Sequence, residues 1–206
     1  MMGLSGRPES ADGKTMQPLE AHGVQVMSIG FLVAQDQAMV WRGPMVVGAF
    51  NQILNDTSWG ELDYLIIDMP PGTGDIQLSL AQSVPVTGAV IVTTPQDVAL
   101  LDAKRGIEMF RKVQVPILGV VENMGLHICS QCGHSEHIFG EGGADRIAYA
   151  YDVEVLGSLP LDGKIRAQCD AGTPAVAAEP NSKVSQIYGQ IALRISAQLA
   201  GIGKPG

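Results

Sequence analysis

Two short stretches of this 206-residue chain hold the side chains best suited to chemistry. In "HICSQCGHSEHIFG" (His127 to Gly140), Cys129 and Cys132 stand in a C-x-x-C spacing, at which two thiolates can bind one metal ion or cluster. His134 and His137 make a mononuclear zinc site the obvious rival. Only two residues separate these histidines, tighter than the usual zinc spacing, and one residue after Cys132 leaves little chain to wrap a tetrahedron. A thioredoxin-like redox pair fits less well, because that motif opens a helix after an early strand. Two thiolates do not complete a four-iron cluster. A two-fold homodimer joined through Cys129 and Cys132 supplies the other two, giving an exposed and transferable bridging cluster.

The second stretch is "YLIIDMPPGTGD" (Tyr64 to Asp75). Its unbroken Leu65-Ile66-Ile67 reads as a strand buried on both faces. Asp68 at its carboxyl end has the placement of a Walker-B acid that orients Mg²⁺ or its water shell. Pro70 and Pro71 stiffen the loop, while Gly72 and Gly74, flanking Thr73, let amides approach a γ-phosphate. Asp75 is placed to cap the following helix or hold a water. The whole loop suits a switch ordered by a triphosphate and relaxed after hydrolysis. The plain alternative is a strand ending in a proline turn. Cys169 and His22 stand alone and read as a buried or incidental thiol and a surface side chain.

The elements that would position these residues alternate. Strands are expected at Val24 to Val33, Asp63 to Pro70, Gly88 to Thr94, Pro116 to Met124 and Val153 to Leu159. Helices are expected at Gly43 to Asp56, Ile76 to Ser83, a segment reaching about Lys112, Ala144 to Ala150, and after Asp162. Thr94 is the expected N-cap of the third helix, with Pro95 at its first helical position and Asp97 three residues on from the cap. The segment from His127 to Phe139 reads as irregular. Val184, Ile187, Ile191, Ile195 and Leu199 fall on one face of a last helix. Continuous apolar strands between helices predict an α/β fold, a three-layer parallel sheet in one domain over 1–206 with a cysteine loop at about 127–139.

Composition narrows the function classes. A net charge of −8 argues against a broad nucleic-acid surface. No apolar run approaches the roughly 20 residues that span a bilayer, and the start lacks a signal-peptide pattern, so no membrane partner is expected. Three cysteines do not make a disulfide framework, and the expected setting is a reducing one.

Taken with "VMSIGFL", "WRGPMV", "GAVIVTTPQDVALLDA", "GVVENM" and "LGSLPLDGKIR", these stretches resemble the Mrp-type iron–sulfur carrier ATPases, a deviant-Walker group of P-loop NTPases related to MinD. The resemblance covers nearly the whole chain. It implies a SIMIBI-type fold that binds and hydrolyses ATP with Mg²⁺, and transfers a 4Fe-4S cluster to apo iron–sulfur proteins. Asp68 would serve the Mg²⁺ shell and Gly72 to Asp75 would form switch II. Asn123 would bond the adenine edge, Pro160 and Leu161 would line the base pocket, and Cys129 and Cys132 would hold the bridging cluster.

The family's lysine-bearing glycine loop and switch-I aspartate do not occur here, and Gly13-Lys14-Thr15 has no glycine at P-loop spacing before it. The chain therefore reads as the carboxyl-terminal part of a member, beginning just beyond switch I at an internal methionine or as a truncated paralogue. Such a sheet, lacking its first strand and P-loop, is expected to expose apolar surface, to be poorly stable and to hydrolyse ATP weakly or not at all. The expected location is the cytoplasm, or the mitochondrial matrix in a eukaryote. A nucleotide-independent zinc-binding interaction module is the alternative function. A MinD-like partitioning ATPase ranks below it, because the last helix has few basic residues.

Overall fold

The computed structural model describes residues 1–10, 13–32, 43–70, 72, 74–129 and 131–202. In chain order it forms β1 (Leu19–Ala21), β2 (Val24–Val26), α1 (Ile29–Leu32), α2 (Gly43–Asn55), α3 (Asp75–Ser83), β3 (Ala89–Thr93) and α4 (Asp97–Lys112). There follow β4 (Ile117–Glu122), β5 (His127–Ile128), β6 (Ser135–Glu136), α5 (Gly143–Tyr151), β7 (Val155–Ser158), α6 (Gly163–Asp170), α7 (Ala175–Ala178) and α8 (Lys183–Gly201).

The central sheet is parallel, in the order β3-β4-β7. Side chains alternate across it, as a strand's two-residue period requires. Ile91 and Val120 face one way, into a cluster with Leu100, Ala103 and Ile107 of α4 and Ala144 and Ile147 of α5. Val121 and Leu156 face the other way, against Ile191 of α8, with Ile187 and Ile195 packed alongside. Helix, sheet and helix therefore make the three layers expected. Gly157 brings α8 close, since a Cβ there would stand 2.7 Å from Ile191 Cγ1.

Local chemistry sets the helix ends. Asp162 accepts from Lys164 N at 2.8 Å to start α6, and Ser182 accepts from Ser185 N at 3.1 Å to start α8. The expected cap of α4 is corrected. Gln96, not Thr94, is the N-cap residue, and the Thr94 hydroxyl is spent on a hydrogen bond to Gln96 Oε1. Pro95, in the turn ahead of α4, is buried.

Two further expectations change. The strand at Val24 to Val33 is only β2, which pairs with β1 in a hairpin, while Ile29–Leu32 is helical; Val33 lies outside the described residues. His22, in the hairpin turn, is an exposed side chain as expected, with its Nε2 2.9 Å from Gly172 O. The segment from His127 to Phe139 holds a short antiparallel hairpin rather than irregular chain.

The largest correction concerns Asp63 to Pro70, which is extended coil without strand pairing among the described residues. Instead of being buried on both faces, Tyr64, Leu65 and Ile66 are 58%, 44% and 90% exposed. An apolar run predicts burial only if a neighbouring strand takes up its amides and carbonyls. Among the described residues β3 is an edge strand, and its Val92 is 63% exposed. Exposed apolar chain and an open sheet edge each promote association between copies. Ile66→Lys should therefore raise the monomer fraction in sedimentation velocity, while changing stability by no more than about 0.5 kcal/mol because the side chain is almost fully exposed.

Candidate functional site

The carboxyl ends of the parallel strands lie level. Thr93 pairs with Glu122 and Glu122 with Ser158, so β3, β4 and β7 finish on one line. Ligands of open α/β sheets bind beyond that line. Asn123 and Leu159 follow it directly. Asn123 N donates to Thr93 O at 2.7 Å and Leu159 N to Glu122 O at 2.8 Å. The Asn123 side chain accepts from Met124 N at 3.0 Å, a local turn in which Met124 takes a left-handed φ of 58°. Pro160 and Leu161, both half-buried, come next to Leu159. Asn123, Pro160 and Leu161 are thus gathered at neighbouring strand ends.

Glu122 was not singled out in the sequence, yet it holds this corner together. One carboxylate oxygen accepts from Ala144 N at 3.0 Å, at the start of α5, and the other from Ser158 Oγ at 3.1 Å. A carboxylate at a helix amino terminus is favoured by the helix dipole as well. The corner leaves no room for a side chain at Gly125, where a Cβ would lie 2.4 Å from Ser158 Oγ and 2.6 Å from Glu122 Oε1.

From there the chain runs into the cysteine hairpin. Cys129 N donates to His134 O and Gly133 N to Cys129 O, both at 2.9 Å, which close the tip around the C-x-x-C. Cys129 is half-buried and Cys132 exposed. The amides of Cys132 and then Gln131 point at the Cys129 sulfur and, with the Cys132 thiol, pull its pKa below the ordinary thiol range; burial opposes them, and the nearby His127 adds the least of the lowering effects. Ile128, next to Cys129 in the chain, and Ile138, just after the returning strand, are 54% and 49% exposed. His137 Nδ1 is 2.7 Å from Gly125 O and its Nε2 3.8 Å from Glu141 Oε1, so this ring is engaged in holding the hairpin. Among the described residues no group of three or more His, Cys, Asp or Glu is gathered for a metal ion.

The loop expected to face a phosphate is described only in part. Asp68 is exposed, and no hydrogen bond among the described residues ties Tyr64 to Pro70 to the sheet. Gly72 has a φ of 103°, the unusual dihedral its sequence suggested. Gly74 is the N-cap residue of α3, and its amide donates to Gln77 Oε1 at 2.9 Å. Asp75 is the first residue of α3; its side chain, Pro71 and Thr73 lie outside the described residues. Gly13 to Thr15 form a bend that no helix follows, unlike a phosphate-binding lysine loop. Cys169 is half-buried near Tyr188, whose pKa is raised by burial and then by that thiol.

The family model described as ParA: NUBPL iron-transfer P-loop NTPase matches residues 1–196. An iron–sulfur cluster carrier protein of Pseudomonas fragi is 62% identical over 187 residues, covering 91% of this chain and 65% of that protein. The iron–sulfur cluster transfer protein NUBPL of Mus musculus is 49% identical over 199 residues, covering 97% of this chain and 62% of that one. The chain thus spans less than two thirds of the length of either relative. A nucleotide-binding protein of Archaeoglobus fulgidus, solved with ADP, superposes with a TM-score of 0.67 at 35% identity, over 81% of this chain and 64% of that one.

Proposed function

This chain belongs to the NUBPL iron-transfer P-loop NTPase family, and from that premise we propose that it carries a 4Fe-4S cluster on Cys129 and Cys132 and passes it to apo iron–sulfur proteins. The observation that carries the reading is the hairpin itself, one half-buried and one exposed thiol with two backbone amides aimed at the first. Each chain offers two thiolates where the cluster takes four. A two-fold pairing of hairpins meets the need, and the exposed Ile128 and Ile138 supply apolar surface for it. Release is ligand exchange. Incoming acceptor thiolates replace the four cysteine sulfurs on iron, two from each chain, protons pass from the arriving thiols to those leaving, and no change of oxidation state is required. The cluster is cargo, so partial exposure of its ligands suits the task.

In the same reading the strand ends form the nucleotide side of the site. Asn123 offers its side-chain amide to the adenine edge, with Pro160 and Leu161 against the base. Asp68 and Asp75 serve Mg²⁺ and its waters, while Pro70, Pro71, Gly72, Thr73 and Gly74 face the phosphates. The absence of a lysine loop from this sequence removes the charge that normally grips the β- and γ-phosphates. Phosphate release from ATP should therefore stay close to the uncatalysed background, and Asp68→Ala should change it little. Turnover abolished by Asp68→Ala would contradict this. The setting that fits is the cytoplasm, or the mitochondrial matrix in a eukaryotic cell.

Anaerobic reconstitution with iron and sulfide tests the cluster assignment. Broad visible absorbance with about two irons per chain, on a dimer, is the expected result for one bridging four-iron cluster. Stoichiometric zinc in the purified chain, lost on His134→Ala or His137→Ala, would replace it with the zinc-module reading.

A further inference from the structure

After Glu122 the chain does not turn away into a helix, as it does after β3. It runs on beside the segment that follows β7. Gly125 N donates to Leu159 O at 3.0 Å, and Leu161 N donates to Leu126 O at 2.9 Å. His127 pairs with Leu161 in a parallel bridge. The His127 ring closes the series, with Nδ1 3.0 Å from Leu161 O in a partly buried setting. A carbonyl only accepts, so this nitrogen carries the proton and donates. His127 stands at the entry to the hairpin, two residues before Cys129.

The hairpin has little hold of its own. Its strands are two residues each, far too short for independent stability. Beyond the backbone bonds at its root, two histidine side chains orient it, His127 to Leu161 on the entering side and His137 to Gly125 on the returning side. Of these two side-chain ties, only that of His127 reaches the Pro160–Leu161 segment, and it lies nearest the thiols.

We infer that His127 is a positioning residue that couples the Pro160–Leu161 segment to the thiols, so that a shift in this wall of the base pocket is transmitted to Cys129. The inference rests on the carrier reading above and adds to it a physical connection between the nucleotide side and the cluster side. Leu161 supplies the acceptor through its backbone, so the connection responds to where the segment lies and not to its side chain. A base seated against Pro160 and Leu161 fixes that position, and an empty pocket frees it. The cluster would be gripped more or less tightly accordingly.

A double-mutant cycle on the reconstituted full chain tests this, with the rate of iron loss to a chelator as readout. His127→Phe keeps a ring but removes the donor, whereas His127→Asn returns an N–H near the position of Nδ1. Pro160→Gly loosens the segment without touching a cysteine or a backbone donor. His127→Phe should speed iron loss about fivefold, the lower end of usual coupling between sites, and His127→Asn should restore most of the wild-type rate. Pro160→Gly should speed it in the wild-type background and add nothing in the His127→Phe background. The rate of Cys129 alkylation in the cluster-free chain should follow the same pattern, which covers any variant that reconstitutes poorly. Equal effects of Pro160→Gly in both backgrounds, or His127→Asn no better than His127→Phe, would overturn the coupling while leaving the carrier reading intact. A wild-type chain that forms no cluster removes the carrier reading, and the coupling with it.

Discussion

Replacing Cys129 and Cys132 together with serine should abolish the visible absorbance of the reconstituted chain and leave its folding nearly unchanged. In the proposed site the cluster is bound through thiolates, and a serine hydroxyl is not deprotonated at neutral pH to take their place. Either single replacement should suffice, because in a two-fold pair it removes two of the four ligands at once. Neither cysteine belongs to the buried core, and Cys132 is exposed, so the melting temperature should move by no more than about 2 °C. A variant that keeps full absorbance would end the cluster assignment. A variant that unfolds would show instead that the hairpin is a structural part of the fold.

The lowered pKa of Cys129 adds a pH dependence with a definite sign. The amides of Cys132 and Gln131 favour its thiolate, so the folded chain holds that charge at a lower pH than a free cysteine does. The stabilisation is present above the unfolded thiol pKa and is lost as pH falls through the depressed folded value. In the cluster-free chain, alkylation of Cys129 should persist into a more acidic range than alkylation of an unstructured cysteine. The advantage should vanish on urea denaturation, which removes the amides from the sulfur.

Much of the architecture could be read from the residues. Val90 to Thr93 and Ile117 to Val121 are apolar, largely β-branched runs between amphipathic stretches, and each became a strand of the parallel sheet. Ile187, Ile191 and Ile195 lie on one face of α8, and that face packs on the sheet. Leu65 to Ile67 has the same composition but no pairing among the described residues, because hydrophobicity encodes a wish for burial and not the identity of the neighbour. The hairpin was missed for the opposite reason. Its strands are too short and polar to show a period, and they are fixed by ties to Gly125 and Leu161 that local sequence does not reveal. The C-x-x-C was legible as chemistry. Its junction with the strand ends, through Glu122, Gly125 and His127, belongs to the tertiary structure alone.

Ile147→Ala should be among the most destabilising single changes in the core that α4 and α5 form against the sheet. Ile147 is fully buried (0% exposed) and sits in one cluster with Ile91, Leu100, Ala103, Ile107, Val120 and Ala144. Truncation removes three carbons from contact on every side, and the rigid β4 strand beneath cannot collapse into the gap. Such losses run at about 2–5 kcal/mol, equal to a fall in melting temperature of roughly 5–15 °C for a chain of this size. Tyr149, two residues along α5, is 94% exposed, and Tyr149→Ala should shift it by no more than about 2 °C. Urea titration with an unchanged slope would assign the difference to packing and not to a rearranged unfolded state. The effect should extend to the site. The amino end of α5 is tied to Glu122 through Ala144 N, and Glu122 stands next to Asn123 and above the hairpin's entry strand. Near the midpoint of its own unfolding, Ile147→Ala should therefore lose iron to a chelator in step with the loss of helical signal. At 10 °C, where the variant is folded, it should hold the cluster as the wild type does. Faster loss at that temperature would mean that α5 also sets the geometry of the thiols.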